Sequence, residues 1–111
     1  LLLWDNKSKE TKYTFPHSHY KQFRRYINNS KGRVKVFLII VPDIDNEALT
    51  KAIKLKQNTR TDTDIALITA TNLKFIAENW KQNLKNDEFN LNIFNMTGIL
   101  DRKQIELRIN L

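Results

Sequence analysis

The chain of 111 residues contains no cysteine and only two histidines. Without cysteine it can form neither a disulfide framework nor a thiolate zinc site, and two histidines are too few for a structural zinc. The opening apolar run, Leu1 to Trp4, is too short for a signal peptide or a membrane span and leads directly into charged residues. We therefore expect a cytoplasmic protein with no membrane association.

Repeats, low-complexity tracts and linkers are also absent from the sequence. Apolar residues make up 41% of the chain, with six phenylalanines and two tryptophans, which is enough for a packed core. A single domain commonly has about 100–150 residues. Because the chain starts at a leucine inside a strand-like run, we expect residues 1–111 to be part of a domain whose earlier segment precedes Leu1.

The net charge of +7 comes from the first third of the chain. Residues 1–35 contain nine lysines and arginines against Asp5 and Glu10, whereas residues 36–111 contain ten basic and ten acidic residues. A localised basic stretch is typical of proteins that bind a polyanion such as nucleic acid. The alternative is a solvated face of a lysine-rich protein.

The first half of the sequence predicts a strand, a helix and a second strand. The first strand covers Leu1 to about Lys7, and Ser18 is expected to cap a helix that runs from about His19 to Asn29. The second strand is the β-branched, apolar run 34–41. Two strands joined by a helix should pair in parallel.

The second half alternates helix and strand patterns. Asp45 begins a helix with the predicted buried face Ala48, Leu49, Ala52 and Ile53. A third strand is expected at 64–69, followed by a helix capped by Thr71, ambiguous helical turns at 85–98, and a closing helix at Asp101 with capping-box spacing. The predicted fold class is α/β, a mixed or mostly parallel sheet flanked by helices.

Asp5 and Lys7 are the residues best suited to chemistry. They follow a buried strand and are two apart, so a strand directs both side chains to the same side. The carboxylate can hold a divalent cation, and the ammonium can orient a water or stabilise the charge of a phosphate. The plain alternative is a solvated strand end with a weak surface ion pair.

Further candidates lie in the basic stretch. On the first helix, Gln22 and Tyr26 are four apart and share one side, and Tyr26 is a candidate helper through its hydroxyl. The candidate nucleic-acid contacts are Lys9, Lys12, Gln22, Arg24 and Arg25. His17 and His19 have a spacing that could flank a metal, but a pair beside a proline is more often solvated.

The order of these parts resembles the PD-(D/E)xK nuclease superfamily: a strand ending in Asp-x-Lys, a helix with Gln-x-x-x-Tyr, and a second buried strand. More narrowly, it is similar to the cleavage domain of FokI-like type IIS restriction endonucleases. That similarity extends through Arg25-Tyr26-Ile27, the strands at 37–41 and 64–69, and a closing helix that includes Thr97-Gly98-Ile99-Leu100.

The resemblance implies a DNA endonuclease that uses Mg²⁺ or Mn²⁺. It assigns the metal-binding acid to Asp5 and the catalytic lysine to Lys7, both as catalytic residues, and it places the second acid upstream of Leu1. Pro42-Asp43 lies on the wrong side of Asp5 and is interpreted as a turn. Residues 1–111 would then form the C-terminal half of a restriction-endonuclease-like domain.

Double-stranded DNA, the upstream part of the same domain and a transient homodimer are the partners that the resemblance implies. In FokI-like members the helix after Asp-x-Lys forms a dimer through acid–arginine pairs. Arg25 matches the arginine, but Lys21 stands where the acid would be, so two such helices would repel each other. The remaining alternatives are a non-enzymatic basic α/β domain that binds nucleic acid, and a structural or partner-binding domain.

Overall fold

The computed structural model describes the backbone of residues 2–6, 12–83 and 91–109, and the side chains of residues 12–79 and 93–109. Its elements alternate along the chain. They are β1 (Leu2–Asn6), α1 (His17–Asn29), β2 (Val36–Val41), α2 (Asn46–Asn58), β3 (Asp64–Thr69), α3 (Ala70–Asn83), the 3₁₀ turn η1 (Leu91–Phe94), β4 (Gly98–Ile99) and α4 (Arg102–Arg108).

The four strands form one sheet in the order β1-β2-β3-β4, and all three pairings are parallel. The predicted α/β class with a parallel sheet flanked by helices is therefore confirmed. β1 and β4 are the outer strands, and β4 is only two residues long.

Each face of the sheet carries its own core. The front face, with Phe37, Ile39, Ile65 and Leu67, is covered by α1 and α2. The back face, with Val36, Leu38, Ala66 and Ile68, packs against α3, η1 and α4 through Ile76, Phe94, Leu100 and Ile105. Alternate residues of β2 and β3 thus supply the two cores, which is why both strands are apolar almost throughout.

The third crossover differs from the first two. All three steps across the sheet go in the same direction, but α1 and α2 lie on the front face and α3 lies on the back. The hand of a crossover reverses when its helix changes face, so the β3–α3–β4 connection has the opposite hand to the other two. Among the described helices, none covers the front face on the β4 side of α2.

Several predicted boundaries are confirmed and several are wrong. Asp45 caps α2 and Asp101 caps α4, as the sequence predicts. Ser18 does not cap α1, because the helix begins at His17 after Pro16 without a side-chain cap. The hydroxyl of Thr69, rather than that of Thr71, accepts the backbone N–H of Asn72 at 3.1 Å.

Two further predictions need correction. The buried residues of α2 are Ala48, Ala52 and Leu55. Leu49 and Ile53 are 37% and 42% exposed, since they lie on the flank of the helix rather than beneath it. The segment Thr97-Gly98-Ile99-Leu100 is not helical, because Gly98 and Ile99 pair with Ala66 and Leu67 as strand β4.

Candidate active site

The register of the sheet places the backbone of Asp5 near the carboxyl end of an outer strand. Asp5 pairs with Ile39, a fully buried residue of the front face, and β2 ends two residues later at Val41. The side chain of Asp5, and the whole of Lys7 and Lys9, lie outside the described residues. The parallel β1–α1–β2 unit predicted around Asp5 is present.

Gln22 and Tyr26 interact on α1 as their spacing predicts. The Gln22 side-chain amide donates a hydrogen bond to the Tyr26 hydroxyl at 2.8 Å. The tyrosine is 41% exposed, so the pair is open to solvent and to a ligand.

The contacts of Tyr20 show which flank of α1 this pair occupies. Tyr20 faces α2, because its hydroxyl accepts a hydrogen bond from the Asn58 side chain at 2.6 Å and donates one to the Lys54 carbonyl at 3.4 Å. Gln22 follows two residues later, which turns it by about 200° around a helix with 3.6 residues per turn. Gln22 and Tyr26 therefore lie on the β1 side of α1.

Along the strand direction, the pair lies nearer the amino end of the sheet than Asp5 does. Phe23, next to Gln22, packs its ring against Phe37 with 4.7 Å between the ring centroids. Phe37 pairs with Leu3, two residues before Asp5, a step of about 7 Å along a strand. The fold thus brings the Gln22–Tyr26 pair and the backbone of Asp5 to the same edge of the sheet.

The two predicted arginines do not share one surface. Arg25 points to solvent beside Tyr26, with its guanidinium 5.7 Å from the centre of the tyrosine ring, a cation–π distance. Arg24 lies two residues after Gln22, on the opposite flank, toward α2. Arg25 therefore belongs with the Gln22–Tyr26 pair, whereas Arg24 is separated from it by the width of the helix.

The positive charge extends beyond the predicted contacts. Residues 12–42 contain no acidic residue and seven exposed basic ones: Lys12, Lys21, Arg24, Arg25, Lys31, Arg33 and Lys35. The 13 residues of α1 span about 20 Å at 1.5 Å per residue, from the carboxyl end of the sheet to its amino end. We call residues 12–42, with these seven basic side chains, the basic region. Lys12 lies at its first end, and Lys31, Arg33 and Lys35 lie at its other end.

The histidines have structural partners. The His19 ring nitrogen Nδ1 lies 3.0 Å from the hydroxyl of Tyr13, and the His17 ring stacks on Tyr20. Tyr13 in turn connects the segment before α1 to the loop after β2, because it forms a parallel bridge with Ile44. In residues 12–79 and 93–109, no three His, Asp or Glu side chains form a group that could hold a metal, and the Asp5 side chain lies outside these ranges.

One polar cluster was not predicted from the sequence. Lys56 at the end of α2 contacts Asp62 and Asp64 at 3.2 Å each, and Asp64 also accepts a hydrogen bond from the Thr97 hydroxyl at 2.9 Å. Partial burial lowers the pKa of Lys56, but the hydrogen bonds to Asp64 and Asp62 outweigh it and raise that pKa above its ordinary value. The cluster joins α2, β3 and the start of β4 at the amino end of the sheet.

Comparison with protein-family models, curated proteins and solved structures finds no match to this chain. Within the part of the chain that the structure describes, no helix combines the length and the apolar character needed to cross a membrane.

Proposed function

We propose that the chain belongs to a Mg²⁺-dependent DNA endonuclease with a restriction-endonuclease-like fold, acting in the cytoplasm on double-stranded DNA. The observation that supports this best is the parallel β1–α1–β2 unit, which brings the backbone of Asp5 and the Gln22–Tyr26 pair to one edge of the sheet. The basic region beside that edge supplies the charge that a phosphate backbone needs.

Each residue at this edge has a distinct role in the proposal. Asp5 would hold Mg²⁺ or Mn²⁺, since such ions keep several waters and are anchored in proteins by one or two carboxylates. The ion would supply Lewis-acid activation of the phosphodiester and of the attacking water. Lys7 orients that water and stabilises the negative charge on the phosphate oxygens in the transition state.

The Gln22–Tyr26 pair has a positioning role. The Tyr26 hydroxyl accepts a hydrogen bond from Gln22, so its own proton is free to be donated to a phosphate oxygen. Arg25, next to the tyrosine, adds a charged donor for the same strand of DNA. Any homodimer would have to pair surfaces other than two copies of α1. In an α1–α1 contact, the positive charges of Lys21 and Arg25 in one copy would repel those of the other copy.

The test is Asp5→Asn in the full-length protein, measured by cleavage of plasmid DNA in the presence of Mg²⁺. Asparagine keeps the shape of the side chain and removes its charge, so cleavage should disappear while thermal melting stays unchanged. Asp62→Asn is the matched control. Asp62 is an exposed carboxylate at the amino end of the sheet, so this variant should cleave DNA at the wild-type rate. Wild-type cleavage by Asp5→Asn, or cleavage that persists in EDTA, would refute the metal-binding role.

A second function is favoured by the extent of the basic region. Seven exposed basic residues without an acid would suit a domain that binds nucleic acid and does no chemistry. If the full-length protein binds duplex DNA with a steep salt dependence and cleaves none under any divalent cation, this alternative is the correct one.

A further inference from the structure

A groove opens at the carboxyl end of the sheet beside the first turn of α2, and none of the residues proposed for the active site lines it. Its volume is about 520 Å³, within the range of about 300–1,000 Å³ that is usual for ligand pockets. Loop residues after β2, the start of α3 and the strand β4 line it, among them Asp43, Leu49, Asn72, Met96, Ile99 and Asp101.

Leu49 of α2 lines the groove, and Ile53 continues the same apolar flank of the helix beyond the lining residues. Leu49 and Ile53 are four apart on this helix and are 37% and 42% exposed. Lys51, on the opposite flank, donates a hydrogen bond to the Thr14 carbonyl at 3.1 Å and so marks the side that faces the segment before α1. Leu49 and Ile53 therefore face β4, where Ile99 and Met96 are partly buried.

The groove exists because of the third crossover. A connection of the usual hand would place a helix on the front face beside α2, above β3 and β4. α3 lies on the back instead, so none of the described helices occupies this position, and Leu49 and Ile53 beside it are partly exposed. A helix packs beside another helix at about 8–10 Å, which is the geometry that this position offers.

The charges around the groove are negative. Asp43 and Asp101 are its charged lining residues, and no lysine, arginine or histidine of the described residues lines it. One carboxylate oxygen of each aspartate accepts a backbone N–H, Asp43 from Ile44 and Asp101 from Gln104, both at 2.9 Å. These bonds hold the two carboxylates in place at the carboxyl end of the sheet.

We infer that this groove binds an amphipathic helix of a partner protein, with its apolar side on Leu49, Ile53 and Ile99 and a lysine or arginine near Asp43 and Asp101. Helix-in-groove recognition uses apolar anchors at helical spacing, and complementary charge sets the orientation of the bound helix. The groove is independent of the proposed nuclease chemistry, since none of its lining residues belongs to that site.

The probe is a fluorescein-labelled peptide of about 18 residues, long enough to form a helix, with leucines at i, i+3, i+4 and i+7 and lysines elsewhere. Fluorescence anisotropy compares it with a twin that carries glutamates for the lysines, and with a third peptide that has two central prolines. The chain has a net charge of +7, so non-specific attraction would favour the glutamate peptide. We expect the lysine peptide to bind at least about tenfold more tightly than either of the others.

Three variants of the chain locate the binding. Leu49→Ser with Ile53→Ser should weaken the lysine peptide about tenfold or more, and Asp43→Asn with Asp101→Asn should weaken it while preserving the turn and the helix cap. The matched control is Leu107→Ser, which removes a leucine that is 67% exposed on α4. Circular dichroism and thermal melting confirm that each variant is folded.

The inference is overturned if the glutamate peptide binds as tightly as the lysine peptide, or if the proline peptide binds equally well. It is also overturned if Leu107→Ser weakens binding as much as the double serine variant does. Loss of peptide binding with DNA cleavage intact would leave the proposed nuclease function unaffected. Loss of DNA cleavage with peptide binding intact would leave the inference about the groove unaffected.

Discussion

The basic region is positively charged and the groove is lined by two aspartates, although both adjoin the same four-stranded sheet. The basic region, residues 12–42, has seven exposed cations and no acid, and α1 begins without an acidic cap. Around the groove, Asp45 and Asp101 cap the starts of α2 and α4. An acidic cap offsets the positive end of a helix, and an uncapped start leaves it available. Phosphates are therefore favoured on the α1 side and disfavoured at the groove.

The two regions also differ in the kind of side chain they expose. The outer surface of α1 shows lysine, arginine and the polar ends of Gln22 and Tyr26, whereas the exposed flank of α2 shows Leu49 and Ile53. Charged contacts suit a hydrated polyanion, and an apolar flank suits a partner that excludes water. Our two proposals therefore assign nucleic acid and a partner helix to separate surfaces.

The largest effect expected on the nucleic-acid side is that of Lys7→Ala in the full-length protein. Loss of one group that stabilises charge in the transition state commonly lowers the rate by about 10²–10³. DNA affinity should stay within a few-fold, since the basic region is unchanged, and single-turnover cleavage together with filter binding would measure both. The control is Lys103→Ala, which removes an exposed lysine of α4 outside the basic region, and this variant should cleave DNA close to the wild-type rate. Wild-type cleavage by Lys7→Ala would remove this lysine from the mechanism.

The second prediction separates the two regions by salt dependence. Replacing Lys12 and Arg25 with alanine should lower the slope of log K against log salt by about 0.9 for each lost phosphate contact on duplex DNA. Asp43→Asn with Asp101→Asn should leave that slope unchanged, because the groove lies apart from the DNA. An unchanged slope in the first variant would mean that the basic region is only solvated, and a changed slope in the second would mean that DNA reaches the groove.

A cleavage experiment tests whether Arg24 and Arg25, which lie on different sides of α1, contribute differently. Arg24→Ala should change cleavage less than Arg25→Ala, because Arg24 lies on the α2 flank and Arg25 contacts the Tyr26 ring. Cleavage rates at a fixed, low salt concentration make this comparison directly. Equal losses would show that DNA contacts both flanks of α1.

The smallest effect is expected at Lys56, which belongs to neither region. Burial lowers the pKa of Lys56, but the hydrogen bonds to Asp64 and Asp62 raise it by more than burial lowers it. The pKa of Lys56 is therefore higher in the folded protein than in the unfolded chain. The stabilisation is therefore complete below the unfolded pKa and is lost as the pH rises through the folded pKa. Because the side chain is 35% exposed, its loss in Lys56→Met should cost less than about 1 kcal/mol at neutral pH.

Urea unfolding at neutral pH and at about pH 11, above the usual pKa of lysine near 10.4, measures this contribution. The difference between wild type and Lys56→Met should shrink at the higher pH. Lys103→Met, an exposed lysine on α4, is the control and should show no such convergence. A difference that stays constant between the two pH values would show that the charge of Lys56 contributes nothing.

Local patterns were sufficient to predict most elements of this fold. The strand at 64–69 and the caps Asp45 and Asp101 agree with the structure because a continuous apolar run and helix capping both depend on nearby residues. The Gln22–Tyr26 hydrogen bond was also predictable, since residues four apart always meet on a helix. The short strand β4 was missed because two residues carry too little periodicity to be recognised.

By itself, the sequence determined the α/β class and the position of the basic region, because composition and spacing along the chain contain that information. The roles of Asp5 and Lys7 come from the resemblance to a nuclease family and stay a prediction. Only the tertiary structure decided that Arg24 lies on the α2 side of α1 and Gln22 on the β1 side, that Lys56, Asp64 and Thr97 meet, and that α3 crosses on the back face. These facts depend on how helices turn against the sheet and on contacts between residues distant in sequence, and no local pattern records them.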